Sequence, residues 1–143
     1  MLMEELHQPV LLSEVLDGLA PRPGEAYLDL TAGYAGHAGK ILDVTRNYKE
    51  TTLVDRDAYA ADYLRGKYSG EPVEIVNQDF YNAVLQLIER EKTYDMILAD
   101  FGVSSPQLDQ AERGFAFSKV GPLDMRMDRT QKLDAEQIVN QWN

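Results

Sequence analysis

Four short apolar runs, each followed by a stretch of helical spacing, constrain this chain more than any other feature. Ala26 to Leu30, Thr51 to Val54, Val73 to Val76 and Tyr94 to Ala99 read as strands. Gly36 to about Thr45, Ala58 to Lys67 and Tyr81 to Glu91 carry apolar residues at helical intervals. Ahead of them, Ser13 is positioned to cap a short helix through Leu19, which Pro21 and Pro23 end. Strands alternating with helices mean βαβ units, a parallel sheet and right-handed crossovers, so an α/β fold is expected. The 143 residues suit one core. No secure element is expected from Phe101 to Lys132, and a loop of that length in a compact domain is usually functional or mobile. Leu133 to Trp142 reads as helix again.

In such folds ligands bind where strands end, and three strand ends carry acids. The fourth run meets Asp100 and then Phe101-Gly-Val-Ser-Ser-Pro106, a loop without hydrophobic period. The second run is closed by Asp55, placed to take both hydroxyls of a ribose. The first holds Asp29 and opens into the loop Thr31 to Gly36, and glycines 33, 36 and 39 of the stretch through Gly39 follow a G-x-x-G-x-x-G spacing. That spacing is neither the G-x-G-x-x-G of dinucleotide binding nor a phosphate loop. Asp29, the loose glycine loop and Asp55 together suit S-adenosylmethionine, which has a ribose and an amino-acid tail but no pyrophosphate. A generic Rossmann-like turn with helix-capping acids would have the same spacing.

Composition excludes other classes. There is no cysteine, which rules out disulfides and thiolate metal sites, and only His7 and His37 offer imidazole, so no metal is expected. The acidic start lacks the plan of a signal peptide and no apolar run is long enough to span a bilayer, so a cytoplasmic protein without membrane contact is expected. The net charge of −10 opposes a broad nucleic-acid surface. The sign reverses locally, with Arg113, Lys119, Arg126, Arg129 and Lys132 against Glu112, Asp124 and Asp128. The triplet Asp100-Phe-Gly also spells a kinase metal motif, but the catalytic loop and strand lysine of kinases are missing.

Several segments occur in an order that resembles one family: Tyr27-Leu-Asp-Leu-Thr-Ala-Gly-Tyr-Ala-Gly-His37, Leu53-Val-Asp-Arg-Asp57, Leu98-Ala-Asp-Phe-Gly-Val-Ser-Ser-Pro-Gln-Leu-Asp109, Glu112-Arg-Gly-Phe-Ala-Phe117 and Gly121-Pro-Leu-Asp-Met-Arg-Met-Asp128. With His7 and Pro9-Val-Leu-Leu, they are similar to the N-terminal half of the 16S rRNA (cytosine-N4)-methyltransferases (RsmH, formerly MraW). The resemblance implies a Rossmann-like, S-adenosylmethionine-dependent methyltransferase fold with a mainly parallel sheet, of which this chain has the N-terminal part. It implies N4-methylation of a cytosine in the decoding region of 16S rRNA in the small ribosomal subunit. Carried over by position, cofactor contacts fall on Ala35, Gly36, His37, Asp55, Phe80, Asp100 and Gln107. Asp100 is also the candidate acceptor for the amine proton. Arg113, Arg126 and Arg129 are candidates for phosphates, with Phe115 or Phe117 as stacking surfaces.

The sequence departs from the family at Ala35, often Gly, at Ala38, often Ser, and at Phe101, often Leu. It is also about half the family's length. On that basis residues 1–132 are expected to form the N-terminal part of the methyltransferase domain and 133–143 the start of a helical insertion. The alternative function is an inactive, S-adenosylmethionine-binding fragment of the enzyme. An open edge at strand four is expected to favour homo-oligomers or a mobile 101–132 loop.

Overall fold

The computed structural model describes residues 9–142; His7 lies outside the described residues. The chain divides after Phe101 into a sheet unit and a carboxyl-terminal unit that begins at Gly102.

The sheet unit contains α1 (Leu12–Leu19), β1 (Tyr27–Asp29), α2 (Gly36–Thr45), β2 (Thr51–Asp55), α3 (Ala58–Lys67), β3 (Glu74–Asn77), α4 (Phe80–Glu89) and β4 (Met96–Leu98). The strands form one parallel sheet in the order β3-β2-β1-β4. The chain therefore winds outward from β1 through β2 to β3, then returns across the sheet to place β4 on the other side of β1. Right-handed crossovers put helices on opposite faces for the two directions. The core follows. Tyr27 and Leu53 pack with Ala38, Ile41, Leu42 of α2 and Leu64 of α3 on one face. Leu28 and Val54 pack with Ala83 and Leu87 of α4 on the other. Adjacent strand residues thus serve opposite cores, as the two-residue period of a strand requires. Full burial of a side chain such as Ile41 or Leu53 contributes roughly 1.5–3 kcal/mol.

Element ends differ from expectation where side chains intervene. Ser13 is not a cap: α1 starts at Leu12 after a left-handed Leu11, and the Ser13 hydroxyl donates to Glu14 at 2.8 Å. The first strand is shorter because the Ala26 N–H leaves the ladder for the Asp95 carboxylate, at 2.7 Å. The third strand lies one residue later than the hydrophobic run suggested. Phe80 is already helical, since Asp79 caps α4 by accepting the Asn82 N–H at 3.1 Å. At the sheet's edge among the described residues, β4 leaves Ile97 exposed.

The carboxyl-terminal unit has structure where none was expected, α5 (Ser105–Asp109) and a 3-10 turn (Ala111–Arg113), and the expected helix in α6 (Ala135–Gln141). Pro106 in the first turn of α5 and Asp134 capping α6 are ordinary helix-start chemistry. The segment between is held by backbone contact rather than by a helix period. Met125 N–H donates to Arg113 O at 3.1 Å, Ala135 N–H to Asp124 O at 2.9 Å and Glu136 N–H to Leu123 O at 2.8 Å. Gly114, at φ 75°, and Gly121 let these strands of chain touch: a Cβ on Gly121 would fall on the Ala111 carbonyl oxygen, and one on Gly114 on that of Pro122.

Gly121→Ala should therefore destabilise the carboxyl-terminal unit by about 2 kcal/mol or more. Hydrogen exchange resolved by residue would show faster exchange at Met125 and Gly114 with unchanged protection in β1 and β2. Wild-type protection throughout residues 102–142 would refute the close-packed backbone as the unit's support.

Candidate functional site

The reversal of winding between β1 and β4 marks the crevice where α/β sheets bind ligands, at the carboxyl ends of the strands. Four successive amides leaving β1 are fixed there by four partners. Leu30 N–H donates to Leu98 O (2.9 Å), Thr31 N–H to Asp29 Oδ1 (3.0 Å), Ala32 N–H to Val54 O (2.9 Å) and Gly33 N–H to Asp55 Oδ2 (2.8 Å). The loop is thus stitched to β4, β1 and β2 in turn.

Asp29 is fully buried, and its second oxygen accepts the Tyr27 hydroxyl at 2.6 Å. Burial pushes its carboxyl up to about 6, against the opposing effect of the Tyr27 and Thr31 hydrogen bonds and the His37 charge. Burial, reinforced by the Asp29 charge, pushes the Tyr27 phenol far up, so it stays a donor. Asp55 accepts from Gly33 and, through Oδ1, from Asp57 N–H at 2.8 Å. Burial raises its carboxyl too, opposed by those two amides. A carboxylate has about four lone-pair positions, so two amides leave Asp55 able to accept ribose hydroxyls.

Ala35 sits at the start of α2 with φ 63°, a left-handed conformation in which glycine is unstrained. This explains physically why glycine would suit the position, and the backbone adopts the turn with alanine. Among the described residues no side chain caps α2, the kind of helix start whose first-turn amides can meet an anion. The His37 ring is buried and its Nε2–H donates to Val10 O at 3.0 Å. The His37 ring therefore tethers the segment at Val10 to the start of α2.

Phe80, at the start of α4, is half-exposed and its ring lies 5.4 Å from that of Phe101 at a tilt of 57°. Asp100 follows β4 with an exposed side chain, while its N–H donates to Thr31 Oγ1 at 2.7 Å. Six of the seven expected cofactor residues thus lie in the sheet unit at or just after strand ends. Gln107 belongs to the carboxyl-terminal unit, where its buried side-chain oxygen accepts the Ser104 N–H at 3.0 Å. Sequence reasoning missed Tyr27 and Thr31. The phenol could have been anticipated, because residues two apart on a strand share a face; the threonine could not, since its partner is 69 residues away.

The expected phosphate contacts are corrected in part. Arg113 is buried, its guanidinium near the carbonyls of Arg126 and Met127 and over the Phe115 ring. Arg126 forms a two-pronged pair with Asp124 (2.9 and 2.8 Å), which holds that carboxyl down at about 2. Arg129 donates to Glu112 O at 2.9 Å. These arginines brace the unit itself. Phe117 is fully exposed, whereas Phe115 is partly covered.

No helix among the described residues is long and apolar enough to cross a membrane. A family model described as the MraW methylase family matches residues 4–143. Similar relatives include the ribosomal RNA small subunit methyltransferase H of Mycoplasmopsis pulmonis (strain UAB CTIP), 41% identical over 142 residues, covering 97% of this chain and 48% of the relative. That of Acetivibrio thermocellus is 42% identical over 148 residues (98% and 46%), and that of Rickettsia massiliae (strain Mtu5) 43% over 141 (96% and 44%). The chain spans about half the length of the curated relatives it matches.

The raised Asp29 carboxyl generates a pH prediction. The folded state, titrating near 6, binds more protons than the unfolded chain, titrating near 3.8. Stability contributed by this group therefore falls as pH rises from about 4 to about 6. Asp29→Asn lacks the titration but keeps an oxygen for Thr31 N–H. The urea midpoint of wild type relative to Asp29→Asn should decline across that window, and a constant difference would contradict the buried carboxyl.

Proposed function

The chain belongs to the MraW methylase family, and from that premise we propose that it forms the S-adenosylmethionine-binding part of an enzyme that methylates N4 of a cytosine in the decoding region of small-subunit ribosomal RNA. The observation that carries this reading is the stitched loop at the β1/β4 reversal, with Asp55 on one side and Asp100 on the other. The residues fit the cofactor. The uncapped first turn of α2, from Gly36 and His37, suits an amino-acid carboxylate. Asp55 suits ribose hydroxyls, and the half-exposed Phe80 ring beside Phe101 suits a flat purine.

S-adenosylmethionine, when bound, supplies a methyl group on a sulfonium centre for in-line transfer to an amine nitrogen. The cytosine amine is a poor nucleophile because its lone pair is delocalised into the ring, so the chain's task is to orient it and accept its proton. The exposed Asp100 carboxylate is the group proposed to accept the amine N–H as positive charge develops on nitrogen. Its backbone is fixed to Thr31, which limits where that carboxylate can go. Gln107, in the carboxyl-terminal unit, is a proposed cofactor contact by family position alone.

Relatives named ribosomal RNA small subunit methyltransferase H support the rRNA substrate. A second reading, in which these residues hold the cofactor without transferring its methyl group, is separated from the first by the methyl-transfer assay below.

Titration calorimetry of the 143-residue chain with S-adenosylmethionine tests the proposal. Wild type should bind; Asp55→Ala should bind at least about tenfold more weakly, the loss expected from charge-assisted hydrogen bonds. Asp55→Asn, which keeps one acceptor for Gly33, should fall between them. Undetectable binding by the wild-type chain would remove the cofactor reading. Binding without methyl incorporation into small-subunit rRNA would select the second reading.

A further inference from the structure

Thr31 is the place where two parts of the rim meet that no strand pairing joins. Its hydroxyl oxygen accepts the Asp100 N–H at 2.7 Å, and its own N–H donates to Asp29 Oδ1 at 3.0 Å. The other oxygen of Asp29 takes the Tyr27 hydroxyl at 2.6 Å, inside the core. The result is a continuous relay from a buried phenol, through a buried carboxylate and a half-buried threonine, to the backbone of the exposed acid after β4. We propose that Thr31 is a positioning residue: it tethers Asp100 across the β1/β4 crevice, and the Tyr27–Asp29 pair fixes Thr31 for that purpose.

The need for such a tether follows from the ladder. The last β1–β4 pair is Asp29 opposite Leu98, and the last backbone bond across it runs from Leu30 N–H to Leu98 O. Beyond Leu98 the chain leaves the sheet, and Asp100 and Phe101 are exposed. Thr31 Oγ1 is the acceptor that carries the β1–β4 connection two residues further, to the residue where a ligand would be met. The phenol and amide satisfy the Asp29 carboxylate on both oxygens, which orients it. A threonine at this position is itself restricted at χ1 by its β-branch, so an acceptor on it is held with little freedom to lose.

The proposal rests on the S-adenosylmethionine reading only for its functional consequence; the tether is tested independently of it. Thr31→Val keeps the branched shape and removes the acceptor, while Thr31→Ser keeps the acceptor. Amide hydrogen exchange on the 143-residue chain should show Asp100 exchanging at least about tenfold faster in Thr31→Val and within about twofold of wild type in Thr31→Ser. The Leu30 amide, bonded to Leu98, serves as the control for intact strand pairing and should be unchanged in both. S-adenosylmethionine affinity should fall about tenfold in Thr31→Val and recover in Thr31→Ser. Unchanged Asp100 exchange in Thr31→Val would overturn the tether. Faster exchange with wild-type affinity would overturn its positioning role. Loss of Leu30 protection in Thr31→Val would show that Thr31 supports the strands themselves, which also overturns the proposal. Failure of the unaltered chain to bind S-adenosylmethionine would refute the cofactor reading and with it the functional consequence, while the exchange comparison would still decide the tether.

Discussion

Between β1 and β4 the sheet reverses its direction of winding, and the chain leaving β1 must there be held beyond the end of the strand ladder. Four consecutive amides from Leu30 to Gly33 meet this constraint by bonding to β4, β1 and β2. Two of the four acceptors are carboxylates, Asp29 and Asp55. An ionised carboxylate accepting amides in a partly desolvated site forms hydrogen bonds stronger than neutral ones. That same desolvation raises both acids, so the rim is held by groups whose charge the fold itself opposes. The tension is tolerable because each acid is satisfied: Asp29 by a phenol and an amide, Asp55 by two amides.

The same arrangement explains how much could be read from residue order. The four strands, the helices between them and their parallel sense follow from hydrophobic spacing, because each strand residue is committed to one face or the other. Leu28 and Val54 on one side of the sheet, and Tyr27 and Leu53 on the other, obey that rule. Asp55 and Asp100 were legible as strand-end acids for the same reason. Thr31 was not, because a hydroxyl beside a glycine loop is unremarkable until a residue 69 positions away supplies the N–H. Ser13 misled in the opposite way: a cap-type residue ahead of an apolar run is a good local signal, and the neighbouring Glu14 took its hydroxyl.

The carboxyl-terminal unit shows why periodicity alone left residues 101–132 without structure. Its order depends on glycines that admit backbone contact and on arginines that bond to carbonyls, neither of which has a repeat length. A run of positive residues reads as a nucleic-acid surface when each charge is assumed to face water. Here the Arg126 charge is matched by Asp124, Arg113 lies inside the unit, and Arg129 binds the chain's own Glu112 carbonyl.

That distribution bears on how such a unit could meet RNA. Phosphate binding relies on cations that keep their donors for the ligand, and bracing the fold occupies donors on all three arginines. Among the exposed residues of the unit are two large apolar ones: Phe117 and Val120 are fully exposed, in a segment bounded by the close-packed Gly114 and Gly121. A side chain carried between two fixed backbone contacts loses less freedom on meeting a partner than one on a loose loop. An RNA contact by this unit would accordingly depend more on stacking than on counterion release, and its salt dependence would be shallow for a nucleic-acid contact. With a net charge of −10 over the whole chain, such economy of cations is the form of RNA contact most compatible with the composition.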